Sequence, residues 1–346
     1  MRTDDLDFVL PPELIAQTPP ARRTDSRLLH YQMAGGTVEH RTFSDLPGLL
    51  RPGDLLVFND ARVIPARFTL RKDTGGLIEG LFLSEIRPGE WNVLLKGVGR
   101  GTELTMRFSD DASATLRVLA KGEGGEYRVA VTPADPAPQL LARLGRMPLP
   151  PYIRREKEHD DRDDLDRSRY QTVFAKTPGA VAAPTAALHF TPELFDALAA
   201  RGIEWTFVTL HVGMGTFKPV TSETLEGHAM HVESYSISPE AAEALNRAKT
   251  EGRRIVAVGT TSARVLESQP ADHPFEAKTG ETGIFIYPPY RFRHVGALVT
   301  NFHLPRSTLI ALVAAMAGLE EQRRLYRIAI ENNYRFFSYG DAMLIE

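Results

Sequence analysis

The sequence predicts an α/β (α+β) body, a mixed sheet with flanking helices, interrupted by an inserted small antiparallel β-barrel. From about Asp54 to Thr132 the chain reads as short alternating strands broken by Gly-rich turns, the pattern of a small barrel. From about Met147 onward strands alternate with helices that carry start signals, the pattern of a layered α/β body. The first fifty residues, with LPPELI and SRLLHYQ, read as part of that same body. The expected division is 1–58 with 148–346 for the α/β domain and 59–147 for the barrel.

In chain order, Leu10–Ile15 offers a helix start and Ser26–Gln32 a strand. The barrel strands follow as VIPARFTLRK, LIEGLFLSEI, WNVLLKG, TELTMRF, ATLRVLAKG and EYRVAVT, separated by TGG, RPGE, SDD and EGGE. The segment Arg154–Arg169 is almost wholly charged. It is too polar to pack into a core and is expected to be a mobile, solvated loop. Thr191-Pro192-Glu193 and Ser238-Pro239-Glu240 each open a helix with an N-cap and a proline at the first helical position. Gly202 and Gly252 close those helices before the strands IEWTFVTLHV and RIVAVG.

Bulk composition narrows the function. At 346 residues with 42% apolar residues the chain can bury a sizeable core. No apolar run approaches the roughly 20 residues that span a bilayer, and MRTDDLDFVL is acidic where a signal peptide is basic and apolar. No membrane association and a cytoplasmic location are expected. The chain has no cysteine, which excludes disulfides, a thiolate nucleophile and cysteine-ligated metals. A net charge of −3 is neutral on nucleic-acid binding, since only local Lys and Arg placement decides phosphate contacts.

Two motifs are set aside. GVGRG at Gly97–Gly101 is followed by the strand TELTMRF instead of a helix, so it is expected to be a barrel turn and not a dinucleotide loop. HAMHVE offers His228, His231 and Glu233, but without helical ligand spacing or a second ligand cluster. Hydrogen-bonding residues of a polar pocket are the expectation, and no metal is assigned.

What remains is a set of strand–loop–helix junctions, the places where an open α/β sheet binds ligands. RRIVAVGTTSARVLES ends a strand at Gly259-Thr260-Thr261, and GALVTNFHLPRSTLIALVAAMAG ends one at Thr300-Asn301-Phe302-His303, with Ser307 or Thr308 as the next N-cap. GAVAAPTAALHFTPELF and TLHVGMGTFKPV place His189 after Thr185, and His211 before Gly213, Gly215 and Phe217. Small residues allow close backbone approach to a ligand, and histidine exchanges protons near neutral pH. The tail RFFSYGDAMLIE closes the chain with Tyr339 and Asp341 around Gly340. It reads either as a buried last strand or as a strand that delivers those two side chains to a site.

These stretches, with LPPELIAQ, SRLL, LLRPGDLLVFND, ARVIPAR, LPPYI, YQTVFA and YRFFSYGDAMLI, resemble the S-adenosylmethionine:tRNA ribosyltransferase-isomerase family of queuosine biosynthesis over nearly the whole length. Departures from the family pattern are Ala180 for Ser, Ala187 for Gly, Pro289 for Gly and Gly296 for an acidic residue. The resemblance implies that S-adenosylmethionine is a co-substrate, with no prosthetic group and no metal. The partner it implies is tRNA with a GUN anticodon carrying 7-aminomethyl-7-deazaguanine at the wobble position. The ribosyl group would be transferred and isomerised to give epoxyqueuosine-tRNA, adenine and methionine, by a chain expected to act as a monomer.

Residue roles implied by this resemblance are as follows. His211 or His189 is the candidate base. Asp60, Arg62 and Asp341 are candidates for binding the amine or orienting the proton-transfer group. Thr260, Thr261 and Arg264 are candidates for the methionine carboxylate, Asn301 and His303 for ribose hydroxyls, and Phe217 and Tyr339 for stacking on adenine or the deazaguanine. Two rival classes are a non-catalytic RNA-binding protein built on the barrel and a metal-dependent hydrolase using His211, His228, His231 and Glu233. The first leaves the polar junctions unexplained, and the second requires activity to be lost on chelation.

Overall fold

The computed structural model describes residues 1–98, 105–108, 113–213 and 219–346. The chain divides into two compact units, Met1–Arg62 with Gln171–Glu346 and Val63–Tyr170.

The larger unit is built on a nine-stranded mixed sheet. Across it run Lys278–Thr282, Glu233–Ile237, Glu204–Leu210, Leu55–Asn59, Ile255–Val258, Ala297–Asn301, Ala342–Ile345, Arg27–Gln32 and Thr37–Thr42. The central four, Glu204–Leu210 through Ala297–Asn301, are mutually parallel. Alternation sends successive side chains to opposite faces: Leu55, Val57, Ile255 and Ala257 join one core, Leu56, Phe58, Val256 and Val258 the other. Helices cover both faces, as a parallel sheet requires. Pro239–Thr250 and Thr260–Glu267 supply one core, Pro192–Ala200 the other.

The expected caps are present. Thr191, Ser238 and Ser307 each accept a backbone N–H three residues on, at 3.3, 3.2 and 3.3 Å. LPPELI forms only a 3-10 turn, Pro12–Leu14. The tail is a buried strand, Ala342–Ile345, parallel to Arg27–Gln32 and antiparallel to Ala297–Asn301. At the edge of the sheet where the parallel strands begin, a charged cluster ties this strand down. His30 Nε2 lies 2.8 Å from Glu346 and its Nδ1 3.2 Å from Glu39. Arg254 bridges Glu346 to Asp54.

The smaller unit contains a closed six-stranded barrel, Glu126–Thr132, Glu90–Lys96, Leu77–Arg87, Arg67–Arg71, Thr105–Phe108 and Thr115–Lys121 in order around it. Its interior is filled by Phe68, Ile78, Trp91, Val93, Met106, Phe108, Leu116 and Val129, all buried. Gly80 is required by this packing, since a Cβ there would sit 2.0 Å from the Phe68 ring. Of GVGRG, Gly97 has a positive φ of 87°, while Gly99, Arg100 and Gly101 lie outside the described residues.

The segment 154–169 is not the mobile loop expected from its charge. It groups with the smaller unit, so the division falls at 170/171, whereas the sequence reading places the return to the α/β body at 147/148. Many of its charges are paired, within the segment and with the barrel: Arg155 and Asp166 pair at 2.6 Å with side chains 1% and 2% exposed, and Glu158 pairs with Arg71. Arg146 donates to the carbonyls of Glu156, Lys157 and Glu158 at 3.0, 2.8 and 2.8 Å, and to Asp163 at 2.7 Å. Asp160 accepts from the backbone of Glu156 and from Arg162, which holds its carboxyl well below the usual range. A segment of paired opposite charges can fold where one of unpaired charges cannot.

Candidate active site

Four parallel strands end along one edge, and a polar side chain stands at or within two residues of each end. Asp60 follows Leu55–Asn59, His211 follows Glu204–Leu210, Gly259 and Thr260 follow Ile255–Val258, and Asn301 closes Ala297–Asn301. Because these strands are adjacent and roughly 4.8 Å apart, the order His211, Asp60, Thr260, Asn301 follows from topology.

Asp60 and His211 are set by a buried amide. Asn59, fully buried, donates to the Leu210 carbonyl at 3.0 Å and accepts from the N–H groups of Leu210 and Ala61 at 3.0 Å each. This fixes the chain on both sides of the next strand end. Thr209 Oγ1 then donates to Asp60 at 2.6 Å. His211 is half-buried, and its Nδ1 is buried with no hydrogen-bond partner among the described residues. Burial lowers its pKa, while the Asp60 carboxylate pulls the other way. Gly179 makes room for the ring: a Cβ there would lie 3.0 Å from Nδ1.

Gly259, with φ 90°, turns the chain from strand into the helix Thr260–Glu267. Thr260 and Thr261 are buried at its N-terminus, and Thr261 Oγ1 has no partner among the described residues. One turn on, Arg264 pairs with Glu233, their side chains 5% and 4% exposed. The other Glu233 oxygen accepts the Gly213 N–H at 2.9 Å, and Arg264 Nε donates to the Ile284 carbonyl at 3.3 Å. One terminal Arg264 nitrogen has no hydrogen-bond partner among the described residues.

Thr185 opens the 3-10 turn Thr185–His189. His189 is buried, its ring 4.7 Å from that of Phe43, with Asn301 Nδ2 3.3 Å from its Nε2. Burial pushes its pKa down to about 3, against a hydrogen bond with the Arg23 backbone that favours the charged form and with the Arg335 charge adding to the drop, so the ring is neutral at physiological pH and a weak proton acceptor. Asn301 Oδ1 has no partner among the described residues. His303 is also buried and neutral, lowered to about 3, with its Nε2 2.7 Å from Thr300 Oγ1; its backbone N–H donates to the Tyr326 hydroxyl at 2.9 Å.

The tail contributes scaffolding. Asp341 accepts the N–H groups of Arg27 and Arg335 at 2.9 and 2.8 Å, one on each carboxylate oxygen. Burial raises its pKa although both donors favour the charged form. Tyr339 is buried. Arg62 is exposed on the short strand Ala61–Val63. Gly215 and Phe217 lie outside the described residues.

Sequence reasoning missed three contributors, Thr209, Gly179 and the Glu233–Arg264 pair. Glu233 was visible in HAMHVE, but its partner lies 31 positions away. Thr209 and Gly179 carried no signal beyond proximity to His211 and to APTAALHF.

The arrangement offers a half-buried histidine beside a carboxylate, helix N–H groups for an anion and unpaired buried polar atoms, the constituents of a proton-transfer site. A family model described as queuosine biosynthesis protein matches residues 3–345. An S-adenosylmethionine:tRNA ribosyltransferase-isomerase of Anaeromyxobacter sp. (strain Fw109-5) is 49% identical over 352 residues, covering 100% of this chain and 99% of that protein. A protein of the same name from Ralstonia nicotianae is 52% identical, covering 99% and 94%. The crystal structure of S-adenosylmethionine tRNA ribosyltransferase from Thermotoga maritima is 37% identical, covers 99% of this chain and 100% of that one, and has a TM-score of 0.56.

Proposed function

We propose, for a chain that belongs to the queuosine biosynthesis protein family, that the strand-end cluster transfers the ribosyl group of S-adenosylmethionine to tRNA and isomerises it. The chain is a transferase of the S-adenosylmethionine:tRNA ribosyltransferase-isomerase class. The acceptor is the exocyclic amine of 7-aminomethyl-7-deazaguanine at the wobble position of tRNA with a GUN anticodon, and the products are epoxyqueuosine-tRNA, adenine and methionine. The observation that carries the site assignment is the alignment of His211, Asp60, Thr260 and Asn301 along one edge of the sheet.

The sulfonium acidifies the C5′ protons of the donor, so a positioned base can remove one. His211 fits that role better than His189, being half-buried with Asp60 beside it, whereas His189 is fully enclosed. Adenine then departs, the amine attacks the opened sugar, and ring closure expels methionine. Thr261 Oγ1, the Arg264 nitrogen that has no partner among the described residues and the N-terminus of Thr260–Glu267 form an anion site suited to the methionine carboxylate. Glu233 fixes the direction of Arg264 and at the same time the backbone at Gly213. Asn301 Oδ1 is an acceptor for a ribose hydroxyl, its amide held by His189. A wobble base is already in a single-stranded loop, which lowers the cost of bringing it to these groups.

The test follows the donor's atoms. S-adenosylmethionine labelled in its ribose carbons should pass that label to tRNA bearing the aminomethyl-deazaguanine, while S-methyl label leaves with methionine. Digestion and mass spectrometry of the nucleosides read both outcomes. Methyl label in the nucleoside, or no ribose label with competent tRNA, overturns the assignment.

A further inference from the structure

Arg71 and Arg107 are register partners on adjacent antiparallel strands of the barrel. Like charges directly opposite each other destabilise a strand pair, so this placement costs stability. Leu70, Met106, Phe108, Leu116 and Val118 point into the barrel and are buried. The pleat therefore turns Arg71, Arg107 and Arg117 outward, and all three are exposed. Arg117 lies opposite Thr105, two residues from Arg107 along that strand, and on its other side opposite Ala130, two residues from Arg128. Four arginines thus follow one diagonal over four strands, a stripe about 20 Å long, from about 14 Å across the strands and about 13 Å along them. Arg71 is answered by Glu158 and Arg128 by Glu90. Among the described residues Arg107 and Arg117 have no ion pair.

We propose that this stripe is a docking surface for the sugar–phosphate backbone of the tRNA, with Arg107 and Arg117 each contacting a phosphate. The proposal rests on the functional reading above for the identity of the RNA. Guanidinium forks match phosphate oxygens in pairs, and a row of phosphates offsets the repulsion that the strand register imposes. An isolated exposed arginine would not carry this inference. Two on neighbouring strands with no ion pair among the described residues, continued by a like-charged register partner, do.

The experiment measures binding of tRNA carrying the aminomethyl-deazaguanine by fluorescence anisotropy between 50 and 200 mM salt, about the range over which phosphate contacts are read. Arg107→Gln and Arg117→Gln should each weaken binding and flatten the slope of log K against log salt by about one, and the double variant by about two. Arg107→Lys and Arg117→Lys keep the charge and should keep the slope. At saturating tRNA the turnover of every variant should equal that of the wild type, the effect appearing in KM. A wild-type slope in the folded double Gln variant, an equal loss of slope in the Lys variants, or a fall in turnover with unchanged KM would each overturn the stripe. Failure of the functional reading is separately visible, as wild-type enzyme that binds tRNA but transfers no ribose label.

Discussion

Glu233 and Arg264 meet in a buried ion pair whose carboxylate also holds the Gly213 N–H, so one side chain sets both the guanidinium and the backbone on the far side of it. Removing one partner of such a pair leaves an uncompensated buried charge, at a cost of about 3–5 kcal/mol. Glu233→Gln should lose stability on that scale in urea denaturation. The double variant Glu233→Gln with Arg264→Met should regain much of it, because the stranded cation is gone. Activity should stay low in the double variant, since Arg264 is assigned to the donor's carboxylate. Recovery of both stability and activity would reduce the pair to scaffolding.

The tail makes the same distinction between support and chemistry. Asp341→Ala leaves the N–H groups of Arg27 and Arg335 unsatisfied, at roughly 1–3 kcal/mol each. Gly340→Ala would drive a Cβ to 2.4 Å from the Arg335 carbonyl oxygen and 2.6 Å from the Phe336 carbonyl carbon, and overpacking of this kind costs about 1–3 kcal/mol. Both variants should show lowered denaturation midpoints, with turnover per folded molecule falling less in the Asp341 variant than in any His211 variant. An Asp341→Ala protein of wild-type stability but about tenfold lower turnover would return Asp341 to the chemistry.

How much was legible in the sequence depended on the range of each interaction. The capped helices at Thr191, Ser238 and Ser307 were visible because the cap and its donor are three residues apart. The barrel was visible because alternation repeats locally. The junctions at Gly259 and Asn301 were visible because strand, small residue and helix follow one another in sequence. Charge density alone misread 154–169, since it records how many charges there are and not that Arg155 finds Asp166. The accessibility of His189 was also hidden: what separates it from His211 is Phe43 stacked on its ring, a contact from a distant part of the chain.

The His30 cluster predicts a pH window for stability. Bonds to Glu346 and Glu39 raise the His30 pKa, so its contribution is fully present below the unfolded value near 6.5 and is lost as pH rises through the higher folded value. Bonds from His30 and Arg254 lower Glu346 to about 2, so its contribution is present above the unfolded value of 4.5 and is lost as pH falls toward 2. Together they are strongest between about pH 4.5 and 6.5. The stability difference between wild type and His30→Gln should therefore peak in that window and shrink toward pH 9. A difference that grows from pH 6 to 9 would contradict the protonated bridge.

The identity of the base is the sharpest question the site poses. His211→Asn should lower turnover at least about tenfold, about 1.4 kcal/mol of barrier, without loss of the fold, since the ring makes no hydrogen bond through Nδ1 among the described residues. Burial lowers the His211 pKa and Asp60 opposes that shift, so the acid limb of the pH–rate profile should fall below the ordinary histidine value. In Asp60→Asn the opposing charge is gone and the limb should move to still lower pH. Gly179→Ala crowds the ring at 3.0 Å and should lower turnover while leaving tRNA affinity intact. His189→Gln tests the alternative: its ring is neutral throughout this range, with a pKa of about 3, so the variant should keep the acid limb. An acid limb that vanishes with His189→Gln and survives His211→Asn would exchange the two roles.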